Sequence, residues 1–128
     1  LEGDTPEALA AHDCLVFGSA PERANWTLVA EQRSVVIAVP ARLVVNDFEL
    51  LRRAALDGLG IAMLPVQRCI EDVRAGRLSR VLGAWCSPHT PIHAVYPTRR
   101  PLAPKVSAFL ELLQARMTPE TWELGPTA

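Results

Sequence analysis

The sequence lacks a surplus of basic charge. It has 13 lysine and arginine residues against 14 acidic ones, so its formal net charge is −1. Proteins that bind nucleic acids usually carry a basic surface that neutralises phosphates. The two basic pairs, Arg52-Arg53 and Arg99-Arg100, are more typical of a solvated surface. We therefore do not expect this chain by itself to bind DNA.

Cysteine is scarce, and only Cys14, Cys69 and Cys86 are present. Because they are odd in number and never form a C-x-x-C pair, we expect neither a disulfide framework nor a zinc site, but reduced, mostly buried thiols in a cytoplasmic protein. No run approaches the roughly 18 apolar residues of a membrane span. The polar start, LEGDTPEAL, is not a secretory signal. The sequence therefore predicts no membrane partner.

Motifs for catalysis and for cofactor binding are also missing. The sequence has no G-x-S-x-G, H-E-x-x-H or G-x-x-x-x-G-K-[ST]. His89 and His93 have H-x₃-H spacing, but Pro91 indicates loop and strand, where about 13 Å would separate them. The carboxylates Glu71 and Asp72 are expected on a helix surface, because adjacent helical residues do not face each other. We predict no enzyme, no metal site and no cofactor.

The sequence does contain short apolar runs that alternate with amphipathic segments. We predict strands at residues 14–17, 26–29, 35–39, 43–45, 60–64, 78–82 and 92–96, and helices at residues 6–12, 47–57, 66–75 and 102–116. The order through the middle is strand, helix, strand, helix, strand. This order predicts an α/β fold with a mostly parallel sheet flanked by helices.

One junction between a strand and a helix, Val45-Asn46-Asp47-Phe48, has the features of a ligand site. In open α/β sheets, ligands bind beyond the carboxyl ends of the strands. The first N–H groups of a helix are unsatisfied and attract anions. Phe48 would add an apolar wall. The alternative is a plain helix cap at Asn46 or Asp47 with Phe48 in the core, and these residues alone favour neither interpretation.

Several segments, taken in order, resemble the effector-binding domain of LysR-type transcriptional regulators. They are DCLVF (13–17), Trp26, LVVND (43–47), AALDGLGIAMLP (54–65), GRL (76–78), AVYP (94–97) and RRPLAPKVSAF (99–109). No single segment is decisive, but the ordered set is specific to the family.

The resemblance implies one lobe of a two-lobed domain like that of periplasmic solute-binding proteins. Residues 1–96 would form the second lobe, while residues 97–128 would form a return segment, a C-terminal helix of the first lobe and a loose tail. A small, anionic effector would bind in the cleft between the lobes. Gly60 and Ile61 would join Val45–Phe48 in that site.

The resemblance also implies partners. It implies a homodimer or higher oligomer, with helix 47–57 at the contact and Arg52 and Arg53 at its rim. DNA would be bound only through a winged helix-turn-helix that these residues do not include. The alternatives are a lobe of a solute-binding protein without a regulatory role and, least favoured, an enzyme on the same fold. The residues upstream of Leu1 would discriminate between regulator and solute-binding protein.

Overall fold

The computed structural model describes residues 5–19, 24–91, 93–96 and 103–117. In this part of the chain the elements are a 3-10 helix (Pro6–Ala11), β1 (Cys14–Phe17), β2 (Ala24–Ala30), β3 (Arg33–Val39), β4 (Ala41–Val45), α1 (Phe48–Leu56), β5 (Ile61–Ala62), α2 (Val66–Arg74) and α3 (Pro104–Arg116). Within the same residues, no helix has the length and apolar character needed to cross a membrane.

Three strands form a parallel sheet with β1 in the middle, in the order β4-β1-β5. Helix α1 connects β4 to β5, so the chain passes over β1 between them. Cys14, Leu15 and Val16 of β1 are all buried, which explains why this strand is a continuous apolar run without alternation. The predicted α/β class, with a parallel sheet and flanking helices, is confirmed.

Strands β2 and β3 form a separate antiparallel hairpin, paired from Ala24↔Val39 to Ala30↔Arg33. The sequence predicted both strands but not this second sheet. Trp26 and Leu28 are buried while their neighbours along β2 are more exposed, because successive side chains of a strand point to opposite faces. The hairpin therefore presents one apolar face to the rest of the structure.

The core lies on both sides of β1. On one side, Cys14 and Val16 pack with the hairpin and with the 3-10 helix. On the other side, Leu15 packs with Leu51 and Ala54 of α1. This division follows directly from the alternation of side chains along β1. The sheet is thus held between the hairpin and helix α1.

Two predicted strands are not formed. The segment 78–82 is irregular, because the amide of Leu78 donates to the Asp72 carbonyl (3.2 Å) and Leu82 has a positive φ of 55°. Leu82 still packs in the core and is 5% exposed. Its apolar side chain therefore fixes an irregular segment to the core and does not indicate a strand. Of the predicted strand 92–96, the described residues 93–96 are also irregular, and Val95 is 94% exposed.

Helix α1 forms at the predicted place, one residue inside the predicted bounds 47–57 at each end. Asp47 caps its first turn, Leu51 and Ala54 face the core, and Gly58 follows its end with a φ of 74°. Helix α3 also forms where it was predicted. None of its residues is buried, and Phe109 is 61% exposed.

Gly60 brings the start of β5 against the residue that precedes β1. A Cβ atom at Gly60 would overlap the carbonyl oxygen of Asp13 and would lie 3.0 Å from its carbonyl carbon. The same carbonyl accepts a hydrogen bond from the amide of Ile61 (2.9 Å). Glycine is therefore required here by the close approach of two backbone segments.

We expect Leu51→Ala to destabilise the fold by about 3 kcal/mol, because it leaves a cavity under α1 in which little can rearrange. Leu50→Ala is the matched control on the same helix. Leu50 is 51% exposed while Leu51 is fully buried, so the control should cost less than about 1 kcal/mol. Urea unfolding followed by circular dichroism measures both changes. Equal losses would contradict the packing described for α1.

We expect Gly60→Ala to destabilise the fold by about 2 kcal/mol or more, because the added methyl group collides with backbone that cannot move independently. Gly58→Ala serves as the comparison. A Cβ at Gly58 meets nothing within 4 Å, so this change carries only the cost of its positive φ, about 1 kcal/mol. The free energies of unfolding of the two variants decide the matter. A Gly60→Ala variant as stable as Gly58→Ala would show that β5 does not need this close approach.

Candidate functional site

The carboxyl ends of β1 and β4 lie side by side. Phe17 is paired with Val45, and the amide of Gly18 donates to the carbonyl of Val45 (2.9 Å). Both chains then leave the sheet at this edge. Asn46 and Asp47 are exposed, so the predicted junction faces solvent and is not enclosed in the core. This is the edge of an open parallel sheet at which ligands commonly bind.

The N-terminus of α1 is already capped by a carboxylate. Oδ1 of Asp47 accepts hydrogen bonds from the amides of Glu49 (2.7 Å) and Leu50 (3.1 Å). Of the first three amides of the helix, only that of Phe48 is left. A helix end attracts anions because its amides are unsatisfied. The Asp47 carboxylate satisfies two of these amides and adds a negative charge that repels anions.

Two aromatic rings stack at this edge. The ring centroids of Phe17 and Phe48 are 4.0 Å apart, and their planes differ by 12°. Phe48 also packs against the cluster formed by Leu15, Leu51 and Ala54, so its position is fixed by the core. Phe17 remains 47% exposed. The structure therefore places an accessible aromatic surface at the same edge as Asn46.

Phe17 is not among the residues predicted for the site. The sequence pattern placed it only in a buried strand, although it is the last residue of that strand. This position in the sequence could have indicated a site residue, since the final residue of a strand lies at the edge where ligands bind. Its exposure follows from its place after three buried residues in β1.

The structure brings together Val45, Asn46, Asp47 and Phe48, but it does not bring Gly60 and Ile61 to the same edge. Ile61 is paired with Cys14 at the start of β1, whereas Val45 is paired with Phe17 at its end. Three residues of a strand span about 10 Å. The role of Gly60 and Ile61 in effector binding stays a prediction, and neither belongs to the edge described here.

The expectation that Asp72 lies on the surface is wrong. Its side chain is 1% exposed, and Asp72 and Cys69 are the two buried residues of α2. The carboxylate accepts from Arg52 Nε (2.5 Å) and Nη2 (3.0 Å), and Nε of Arg77 also donates to it (2.8 Å). Glu49 accepts from Arg52 as well (2.9 Å). Arg52 thus ties α1 to α2 instead of serving only as a solvated charge.

These contacts change the proton affinity of the groups involved. The hydrogen bond from Arg52 is the main cause that holds the pKa of Asp72 below its ordinary value of 3.8, and the hydrogen bond from Arg77 acts in the same direction. The pKa of Arg52 is raised, chiefly by its hydrogen bond to Asp72. Asp72 is therefore a structural anion and is not poised as a general acid or base at neutral pH.

Two of the three thiols, those of Cys14 and Cys69, are poor nucleophiles. Burial raises the pKa of Cys14 to about 11, with a smaller contribution from Asp13, and burial is also the main cause that raises the pKa of Cys69. Cys86 is exposed, and the other two thiols are buried, in agreement with the expectation of mostly buried thiols. Among the described residues, no group of histidine, cysteine, aspartate and glutamate is arranged to hold a metal ion.

The chain is similar to a known family and to its characterised members. The family model described as the LysR substrate binding domain matches residues 1–118. The HTH-type transcriptional regulator PtxR of Pseudomonas aeruginosa is 31% identical over 101 residues, which are 79% of this chain and 32% of that protein. The putative LysR family substrate binding domain-containing protein YagP of Escherichia coli is 26% identical, over 80% of this chain and 77% of that protein.

Solved structures agree with these relatives. The regulatory domain of AphB from Vibrio vulnificus, treated with cumene hydroperoxide, superposes with a TM-score of 0.67 and 25% identity, over 87% of this chain and 55% of that one. Full-length AphB of Vibrio cholerae, a virulence activator, gives a TM-score of 0.58 and 28% identity, over 66% and 29% of the two chains. This chain spans about a third of the length of the first curated relatives. PtxR of Pseudomonas aeruginosa and PgrR of Escherichia coli are both named HTH-type transcriptional regulators.

We expect Asp72→Asn to lower the urea midpoint at neutral pH, because two arginines lose a buried anionic partner. The effect depends on pH with a definite sign. The folded-state pKa of Asp72 is lowered, so its charge stabilises the fold fully above pH 3.8, and this contribution is lost as pH falls below that value. The difference between wild type and Asp72→Asn should therefore be constant from about pH 7 to pH 5 and shrink in more acidic buffer.

Glu71→Gln is the control for this experiment. Glu71 precedes Asp72, its side chain is 78% exposed, and within the described part of the chain its ion-pair partner is Arg74 on the surface (3.3 Å). The stability of this variant should stay close to wild type at every pH. If Asp72→Asn were as harmless as Glu71→Gln at neutral pH, the link between α1 and α2 would not depend on this charge.

Proposed function

Because the chain belongs to the LysR substrate-binding domain family, we propose that it binds a small-molecule effector at the carboxyl edge of its parallel sheet and thereby regulates transcription. The observation that carries the proposal is the open junction at this edge, where Asn46 is exposed and the ring of Phe17 is partly accessible. Small-molecule sites usually combine an apolar surface with a few polar groups. Asn46 would supply the polar group that orients the effector.

We further propose that residues 1–96 form one lobe of the effector-binding unit and that residues 97–128 pass to another lobe. Helix α3 supports this division. None of its residues is buried by the described part of the chain, and Phe109 and Leu112 are both more than half exposed. A helix with this many exposed apolar residues needs a further surface to cover it. Such a surface would come from the remainder of a longer regulator or from a second copy.

Regulation would follow from different affinities of the effector for two arrangements of the lobes. A ligand shifts a conformational equilibrium only by as much as it prefers one state over the other. An effector held between this edge and a facing lobe would favour a closed arrangement, as in hinge closure around ligands. We propose that the closed arrangement alters how the complete dimeric or oligomeric regulator controls its DNA, and that this chain by itself does not contact DNA. A cytoplasmic location is part of the same proposal.

The charge of the effector is a separate question. The sequence favoured an anion bound by the first amides of α1. The cap by Asp47 is an argument against a carboxylate at the amides of Glu49 and Leu50, which are already used. An anionic group would have to be bound by other parts of the regulator. The alternative of a solute-binding lobe without a regulatory role is not favoured, because the curated relatives are named transcriptional regulators.

We expect Asn46→Ala to weaken the response to an effector without changing the stability of the chain. A metabolite library screened by thermal unfolding identifies the ligand. At ten times its Kd, a ligand stabilises the native state by about 1.4 kcal/mol, a rise in Tm of about 5 °C for a domain of this size. In the Asn46→Ala variant that rise should fall by more than half, while the Tm of the free protein stays within about 1 °C of wild type.

Asn25→Ala is the matched control, because Asn25 is an exposed asparagine on the hairpin and not at the sheet edge. It should leave the ligand-induced rise unchanged. In the complete regulator, Asn46→Ala should shift the dose–response curve while DNA affinity without effector is retained. An unchanged thermal response in Asn46→Ala would remove the junction from the effector site.

A further inference from the structure

We propose that the effector presents a planar aromatic group to this lobe and stacks it on Phe17, with any negative charge directed away from Asp47. This inference rests on the proposed function, since it names the chemical class of ligand for the same edge. It is carried by three observations: the exposed ring of Phe17, the rigid support beneath it, and the carboxylate that already caps α1.

The first observation is the exposure of Phe17. A phenylalanine at the end of a core strand is ordinarily covered, yet this one is 47% exposed after three buried residues. Its stacking partner Phe48 covers one side of the ring. The area that remains lies at the edge where ligands of parallel sheets bind. An aromatic ring placed there would extend the existing stack, an arrangement that aromatic groups favour beyond simple apolar burial.

The second observation is that other parts of the fold support the ring and the strand that carries it. Phe48 packs on Leu15 and Leu51 in the core, and the cap by Asp47 fixes the backbone on which Phe48 stands. On the other strand, the hydrogen bond from Gly18 to Val45 ties the end of β1 to β4. A rigid surface loses little entropy when a flat ligand settles on it. A flexible aliphatic ligand would gain less from such a surface than a planar one.

The third observation concerns charge. The Asp47 carboxylate is exposed and adjoins Phe48. It accepts two helix amides that would otherwise attract an anion. A carboxylate ligand at this position would meet a like charge and would find one helix amide instead of three. A neutral ring meets neither obstacle, and hydrogen bonding to Asn46 can orient a polar substituent.

The experiment is an NMR titration of the isotope-labelled 128-residue chain with two neutral probes. Benzamide and cyclohexanecarboxamide carry the same amide and have similar size, but only benzamide is planar and aromatic. The backbone amide signals of Phe17, Gly18 and Asn46 report on the site. We expect benzamide to shift these three signals with a Kd at least about 5-fold lower than that of cyclohexanecarboxamide.

Two leucine variants test whether Phe17 causes the preference. Phe17→Leu retains an apolar side chain but has no ring, so the two probes should bind it with the same affinity, within about 2-fold. Phe109→Leu is the matched control, because Phe109 on α3 is also exposed (61%) and is outside the site. This control should retain the 5-fold preference for benzamide. A preference that survives in Phe17→Leu would overturn the assignment to Phe17.

Benzoate and acetate test the role of charge. We expect the wild-type chain to bind benzoate more weakly than benzamide, by about 3-fold, and Asp47→Asn to abolish that difference. Asparagine keeps an oxygen that can accept from the helix amides, so the cap is preserved while the charge is removed. Tighter binding of benzoate than of benzamide by wild type would overturn the inference about charge.

The outcomes also separate this inference from the proposed function. If cyclohexanecarboxamide or acetate shifts the three signals as readily as benzamide does, the aromatic inference is wrong while an effector site at this edge still stands. If no probe shifts them, the aromatic inference is equally overturned. The proposed function is decided independently by the thermal response of Asn46→Ala, which does not depend on the chemistry of these probes.

Discussion

The structure depends on the burial of strand β1 on both faces and along both edges. Its neighbours β4 and β5 provide the hydrogen bonds, while the hairpin and helix α1 cover its two faces. Cys14 and Leu15 are both fully buried as a result. A strand enclosed in this way cannot slip by one residue without exchanging the two sides of the core. The register of β1 therefore determines where every neighbouring element begins and ends.

The candidate site is a direct consequence of that register. Because Phe17 is level with Val45, the chain leaves both strands at one edge, and the helix that follows β4 starts there. The ring of Phe48 then meets the ring of Phe17 without any further element being needed. The lobe supplies an aromatic surface and one exposed amide side chain. In the proposed site these groups would form one wall, and the rest of the regulator would supply the opposite one.

Helix α1 serves both the core and the site, so its position must be well determined. The cap by Asp47 fixes its start, and Leu51 fixes its contact with the sheet. The bidentate contact of Arg52 with Asp72 then joins it to α2. A buried carboxylate is tolerated because two arginines satisfy its oxygens, and removing a partner costs more than the pair itself contributes. The arrangement restrains the N-terminus of α1 relative to the sheet edge on which a ligand would bind.

The amino-acid sequence by itself determined the features that depend on near neighbours. The positions of α1, α2 and α3 were predicted, and so was a cap at Asn46 or Asp47, since helix periodicity and capping act over a few residues. The junction at Asn46 and the family were also evident from the order of the segments. The predicted strand at 78–82 was wrong, because an apolar run indicates burial but does not by itself indicate a strand. Leu82 is buried although it does not belong to a strand.

Tertiary structure decided everything that depends on which elements meet. It decided three contacts: the pairing of β2 with β3, the burial of Asp72 between two arginines, and the stacking of Phe17 on Phe48. In each contact, nothing in the sequence indicates which residues are partners. It also placed Ile61 level with the start of β1, whereas Val45 is level with its end. Local patterns specify whether a side chain is apolar and how often it recurs. They do not specify its partner, because that depends on the free energy of packing the whole chain at once.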